Sequence, residues 1–343
     1  MSNCHDLFIK FHDDEIYLKS DKKESLRTSR NALRDKIKKY FSEELDVKKP
    51  KFYGQGSYMM NTTVTPIDGE YDIDDGIYLE HLKNSDEGDW PTPSTVHSWI
   101  VKATKNHTSE EPVDKNTCVR VIYKANYHVD LPIYIKKDDQ SPKLAHKSKG
   151  WITSDPKALT DWFKGEVQIK GDQLKRLVRY LKAWKDYKES DTKFPSGMIL
   201  TILAANHFVS DYPDEDDAAL VATAKEIHNT LSESFSLVRP VVPGEELFDN
   251  WSETRRSNFL NKLEDLIKKG GEQLLHDLFD SATLRKNFHS AFAAYFLFWR
   301  MVRCLWYHVA KDTPSRRLFC GGLTFDKRHA VSCLFCEKIS NFL

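Results

Sequence analysis

Two segments hold residues whose types and spacing could do chemistry: Tyr53-Gly54-Gln55-Gly56-Ser57, and Tyr71-Asp72-Ile73-Asp74-Asp75-Gly76. In a strand, side chains alternate faces, so Asp72 and Asp74 project to one side, about 6–7 Å apart, and Ile73 projects to the side to be buried. Two carboxylates at that spacing can share a pair of Mg²⁺ ions about 3.5–4 Å apart. A Gly-Ser turn offers backbone N–H groups and a hydroxyl to phosphate oxygens. Phosphoryl transfer asks little covalent chemistry of a protein. It asks for positioned reactants and for charge to be offset, mostly by metal. The pattern therefore predicts a nucleotidyl-transfer site with Asp72 and Asp74 as metal ligands and the Gly56-Ser57 turn at the phosphates. A third acid is needed on a neighbouring strand, because Mg²⁺ takes oxygen ligands from few carboxylates, water and substrate. Asp130, in His128-Val129-Asp130-Leu131-Pro132, meets that need. Tyr127, Val129, Leu131 and Ile133 share one face of its strand, and His128 and Asp130 share the other. Asp75 points away from the pair and is expected to support the strand. The bland alternative, a solvated acidic strand end, does not account for the Gly-Ser turn or the third acid.

The elements that must position these residues follow from periodicity. Residues 22–46 predict a long helix whose stripe is Leu26, Leu33, Ile37, Phe41 and Leu45. Strands are expected at 51–53 and 71–79, and twice within 118–134, with a polar turn region at 62–69. Residues 83–95 read as a surface loop and a helix is expected from near Ser94. Residues 135–149 are charged and lack an apolar pattern, which predicts an exposed loop. Ser154-Asp155-Pro156 is a helix start, with a capping side chain followed by proline. Helices are then expected at 171–188, 196–209, 217–233, 252–279 and 288–311, with Arg239 to Gly244 as a break. The fold class is α+β: a mixed-sheet lobe over 1–150, a helical lobe over 151–343, and a cleft between them.

Lys+Arg and Asp+Glu are each 51, so the net charge is zero, which weighs against a partner of long nucleic acid. No run approaches the roughly 18–20 apolar residues of a membrane span. The start of the chain lacks a signal-peptide pattern, and six cysteines in 343 residues do not form a secreted disulfide scaffold. The expected setting is the cytoplasm, with reduced thiols.

Tyr-Gly-Gln-Gly-Ser, Glu-Tyr-Asp-Ile-Asp-Asp-Gly and His-Val-Asp-Leu-Pro-Ile-Tyr together resemble the bacterial cGAS/DncV-like nucleotidyltransferases, relatives of DNA polymerase β. Trp151 to Lys157 with Asp161-Trp162-Phe163, and Leu174 to Tyr187 with Lys182-Ala183-Trp184, extend the resemblance. It is strong over about 50–200 and weak after about 215. It implies a polymerase-β-like fold and a cyclic oligonucleotide synthase, closest to the dinucleotide cyclases, that makes a second messenger for antiphage signalling of the CBASS type. It implies two Mg²⁺ per site, with Mn²⁺ as a substitute, held by Asp72, Asp74 and Asp130. It implies ATP, GTP and other NTPs as substrates, an effector reached only through the product, and regulators encoded in the same operon. Carried over residue by residue, Gln55 and Ser57 contact the donor triphosphate and Arg120 lies near the acceptor nucleotide. Ser154 and Asp155 contact nucleotide, and Lys182 and Ser196 hold the triphosphate from the helical side. The chain departs from the family at Met60, which stands where an aromatic residue stacks on a base, and in a shorter loop before Asp72. Two other readings stay open: a template-independent nucleotidyltransferase acting on RNA, a small molecule or a protein, and a silent nucleotide sensor.

Cys320, His329, Cys333 and Cys336 could form a zinc site, since tetrahedral zinc favours such ligands. The spacing matches no established signature, and the favoured reading is a hydrophobic helix with packed thiols.

Overall fold

The computed structural model describes residues 5–67, 70–138, 140–188, 193–242, 244–286, 317–320 and 323–326. The chain divides into two compact units, Met1–Ala282 and Thr283–Leu343.

The first unit opens with α1 (His5–Phe11), a π-helical turn (His12–Ile16) and the long α2 (Ser20–Glu43). No glycine or proline interrupts α2, and Leu26, Leu33, Ile37 and Phe41 recur at helical spacing and are fully buried. Strand β1 (Lys51–Gln55) runs into a single helical turn, α3 (Gly56–Met59). Strand β2 (Tyr71–Tyr78) follows, and helix α4 (Pro93–Thr104) starts where Thr92 accepts the Thr95 N–H and proline takes the first turn. Next come β3 (Val113–Asp114), β4 (Val119–Tyr123), β5 (Tyr127–Leu131), β6 (Ile133–Ile135), β7 (Lys143–His146) and β8 (Gly150–Thr153).

The sheet is mixed. Strand β2 pairs antiparallel with β1 and parallel with both β5 and β6. Pro132 cannot donate to the ladder, and it divides β5 from β6. Strands β3 and β4 extend the sheet beside β5, and β7 and β8 extend it beside β6. The expectation of an exposed loop over 135–149 is corrected here. Residues 143–153 form an antiparallel hairpin, with Leu144 and Ala145 buried and Leu144 opposite Ile152. Its strands are only four residues long, and two apolar residues each are too few to make a period.

The helices are α5 (Pro156–Lys170), α6 (Asp172–Lys188), α7 (Gly197–His207), α8 (Asp216–Glu233) and α9 (Glu253–Lys286), the last broken at Gly270, whose φ is 64°. In the second unit, strands β9 (Arg317–Cys320) and β10 (Leu323–Asp326) form an antiparallel pair. Cys320 thus ends a strand, where a helix was expected. His329, Cys333, Cys336 and the helix expected at 288–311 lie outside the described residues.

Two cores support the first unit. One lies between α2, α4 and the sheet, around Leu33, Ile73, Ile77, Ile100 and Val129. The other is helical, around Phe163, Leu177, Tyr180, Trp184 and Leu203. Phe8, Phe11 and Ile16 join the helical core although they precede the sheet in sequence. Tyr180 donates to the Phe8 carbonyl at 3.2 Å, and the Asp216 N–H donates to His5 Nδ1 at 3.2 Å.

Candidate active site

The strand register assembles the acids. Asp72 lies directly across from His128, and Asp74 across from Asp130, on the parallel pair β2 and β5. Ile73 and Val129 turn the other way into the sheet core, so the four polar side chains share one face. The antiparallel hairpin of β4 and β5 sets Arg120 opposite Asp130. Arg120 donates to Asp130 through Nε at 2.7 Å and Nη2 at 2.8 Å, a bidentate clamp that fixes the carboxylate plane. His128 Nδ1 bonds Glu70 Oε2 at 3.0 Å.

On the other edge of β2, Gln55 pairs with Asp74. Gly56 then turns with φ +68°, and a Cβ there would stand 2.1 Å from Asp74 Oδ2. Only glycine lets this turn press against the carboxylate. Ser57 Oγ and Thr63 Oγ1 are 2.9 Å apart. Gln55 donates to the Tyr134 hydroxyl at 3.1 Å, while its buried Oε1 has no partner.

The electrostatics of the face are strained in one direction. Burial, then the charges of Asp72 and Asp130, hold the Asp74 carboxyl well above the usual carboxylate range. Burial raises Asp72 too, with Asp130 adding to it, although His128, Arg120 and Lys182 pull the other way. Converging carboxylates held above their ordinary pKa form a site that a divalent cation would relieve, and oxygen donors suit Mg²⁺ and Mn²⁺. These side chains therefore fit a divalent cation.

Asp75 points to the opposite face and is fully buried. Arg34 of α2 donates to it at 2.6 and 2.5 Å, which fixes β2 to the helix. Burial still raises Asp75 against the pull of Arg34. Arg34→Met should destabilise the protein by about 3–5 kcal/mol, because it strands a buried charge. Adding Asp75→Asn should recover much of that loss, as urea unfolding of the single and double variants would measure. A double variant no more stable than Arg34→Met would contradict the pairing.

A cavity of about 730 Å³ opens over this face. Its walls include Gln55, Gly56, Ser57, Asp72, Asp74, Asp130, Ser154 and Lys182. Lys182, on α6, is buried and donates to the Thr62 carbonyl at 3.1 Å and to its hydroxyl at 3.0 Å. Burial pushes the amine down to about 8, with Asp72 pulling it back up. Three sequence-predicted residues are off the wall. Arg120 is committed to its clamp on Asp130. Asp155 caps α5 by accepting the Ala158 N–H at 2.9 Å, and Ser196 caps α7 by accepting the Ile199 N–H at 3.3 Å. Met60 is on the wall and packs into the helical core.

Sequence reasoning gave no site role to Thr62, Thr63, Glu70, Cys118, Trp162 or Arg239, which also line the cavity. Most are single polar or aromatic residues in loops and helices, with no spacing to mark them. Burial pushes the Cys118 thiol up to about 12, so it is not a nucleophile at neutral pH. No helix of the described residues is long and apolar enough to cross a membrane.

A family model for the nucleotidyltransferase domain of DncV-like cyclic GMP-AMP synthases matches residues 50–134. A cyclic GMP-AMP synthase of Escherichia albertii is 31% identical, over 67% of this chain and 55% of that relative. A cyclic AMP-AMP-AMP synthase of Acinetobacter sp. is 26% identical, over 69% of this chain and 70% of that relative. The chain spans about half the length of the curated cyclic GMP-AMP synthases it matches. The structure of Vibrio cholerae DncV cyclic AMP-GMP synthase with the linear intermediate pppA(3',5')pG aligns with a TM-score of 0.67 at 21% identity, covering 81% of this chain and 96% of that one. At that identity the likeness speaks for the fold, a mixed sheet with helices of the polymerase-β-like kind. The matched domain spans the strands that carry all three acids, so over residues 50–134 the chain carries a nucleotidyltransferase domain similar to that of the DncV-like cyclic GMP-AMP synthases.

Proposed function

We propose that this protein is a cyclic oligonucleotide synthase. It joins NTPs with release of pyrophosphate and closes the product into a ring that serves as a second messenger in antiphage defence. One observation carries the reading: three carboxylates from adjacent strands meet on one cavity wall, beside a glycine turn and with a buried lysine on the helical side. The relatives' names supply the ring: cyclic GMP-AMP and cyclic AMP-AMP-AMP synthases.

Asp72, Asp74 and Asp130 would hold divalent cations, which when bound neutralise the triphosphate and lower the pKa of an acceptor ribose hydroxyl. The chain's own groups do the rest. The Gly56-Ser57 turn binds the donor phosphates through backbone N–H groups and the serine hydroxyl. Lys182 adds positive charge from the helical side, with Thr62 fixing its amine. Arg120 keeps Asp130 oriented, and Asp130 assists removal of the acceptor proton. The hydroxyl attacks the α-phosphate in line and pyrophosphate leaves. The linear product then re-enters the donor position for the closing attack. Ser154 contacts nucleotide from the wall. Asp155 and Ser196 act through the helix starts that they cap. ATP and GTP are the substrates, drawn from the cytoplasmic pool. The effector is reached through the product, and operon-encoded regulators set the activity.

Pyrophosphate release from NTPs alone tests the reading: a cyclase releases it with no added acceptor, whereas release only on adding RNA, protein or a small molecule overturns it. A pH profile tests the lysine. Its cationic form is present below pH about 8 and lost above, so kcat/KM for NTP should fall above that pH in the wild-type protein. Lys182→Met should lose this alkaline limb and raise KM about 10–100-fold, as loss of 1.5–3 kcal/mol of charged hydrogen bonding implies. An alkaline limb that survives in the variant assigns the ionisation elsewhere.

A further inference from the structure

His128 belongs to the acid cluster by geometry, and the reading so far gives it no role. The residue is 6% exposed, lies across the strand pair from Asp72, and is two residues from Asp130. Nδ1 is taken by Glu70 Oε2 at 3.0 Å, so in the neutral ring the proton sits there and the Nε2 lone pair faces inward. Nε2 stands 4.0 Å from Asp130 Oδ2, too far for a hydrogen bond. One ligand atom each from Asp72, His128 and Asp130 all lie within 4.8 Å of one another. Ligands on opposite sides of one cation are about 4.2 Å apart at Mg²⁺ bond lengths, so small side-chain movements would bring the three onto a single ion. A histidine that ligates through one nitrogen while donating the other N–H to a carboxylate is the usual arrangement at protein-bound transition metals.

We propose that His128 is a nitrogen ligand of the cation held by Asp72 and Asp130, oriented by Glu70, and that it makes this site prefer a transition ion such as Mn²⁺ over Mg²⁺. Mg²⁺ takes oxygen and water and dehydrates reluctantly, whereas imidazole suits first-row transition ions. The inference rests on the metal-dependent reading of the site, but its test needs no turnover, so the two can fail separately.

The experiment is electron spin echo spectroscopy and equilibrium binding of Mn²⁺ to the full chain without nucleotide. The wild-type protein should show ¹⁴N coupling from a directly bound imidazole. His128→Gln should lose that coupling and bind Mn²⁺ about 10–100-fold more weakly, with Mg²⁺ affinity, measured by competition, little changed. Glu70→Gln keeps the imidazole and should keep the coupling, with Mn²⁺ affinity reduced about tenfold, the lower end of the range for lost supporting partners. Four outcomes overturn the proposal: no nitrogen coupling in the wild-type protein, coupling that persists in His128→Gln, Mn²⁺ binding curves that superimpose for the two, or equal losses of Mn²⁺ and Mg²⁺. Equal losses would mean that His128 only props Asp130.

Discussion

Asp74→Asn is expected to cut turnover by at least about 10³-fold while making the metal-free protein more stable. The loss follows from the several kcal/mol of transition-state charge stabilisation that a ligated cation supplies, at tenfold per 1.36 kcal/mol. The gain follows from the same burial. Asp74 is held well above the ordinary carboxylate range by desolvation and by Asp72 and Asp130. For an acid whose pKa is raised on folding, the folded state holds its proton more tightly than the unfolded state. Stability therefore falls as pH rises from the unfolded value of 3.8 toward the folded one, and at pH above both the whole penalty is present. Asparagine removes the ionisation. In a chelator at neutral pH the variant should melt about 2 °C higher than wild type, and the difference should shrink as pH approaches 4. Calorimetry across that range measures it. A variant that melts lower in chelator, or that retains substantial activity, contradicts the electrostatic account of the site.

Gly56→Ala should be nearly as damaging to activity, for a steric reason. Its φ of +68° costs an alanine about 1–2 kcal/mol, and the new Cβ would meet Asp74 Oδ2 at 2.1 Å. Either the turn withdraws from the proposed phosphate position or the carboxylate leaves the proposed metal position. A shift of about 1 Å costs on the order of 100-fold, so kcat/KM should fall at least that far. Gly54→Ala is the control. Its Cβ would meet the flexible Met59 side chain, with Sδ at 2.9 Å, and no backbone strain is involved. That variant should lose less than about 1 kcal/mol of stability and keep most of its activity. Equal losses from the two would show that the strand merely needs glycines, and that the Gly56 turn has no special place beside Asp74.

The site was legible where it is local and obscure where it depends on register or on distant packing. Asp72 and Asp74 share a face by strand alternation alone, the α2 stripe follows from helical spacing, and Asp155-Pro156 marks a helix start. The Arg120–Asp130 clamp was in principle readable. A three-residue turn, Lys124 to Asn126, with Asn126 at φ 57°, closes the hairpin and sets Tyr123 opposite Tyr127. Counting back from that pair puts Arg120 opposite Asp130. The hairpin over 143–153 was not readable, because its strands are too short to show alternation. The contact of Lys182 with Thr62 spans 120 residues, and the seating of Phe8 and Phe11 in the helical core joins the start of the chain to α6 and α8. Both depend on tertiary packing, which periodicity does not report. Asp155 and Ser196 show the opposite hazard: family resemblance marks them for nucleotide, and here each has a side-chain oxygen committed to a helix N–H.

Incubation of the wild-type protein and Asp74→Asn with all four NTPs and Mg²⁺, followed by phosphatase and mass spectrometry, tests the central claim most directly. The account predicts a phosphatase-resistant cyclic di- or trinucleotide from the wild-type protein, its mass fixing ring size and bases, and none from the variant. Nucleosides alone from the wild-type protein, with Mg²⁺ and again with Mn²⁺, would contradict it.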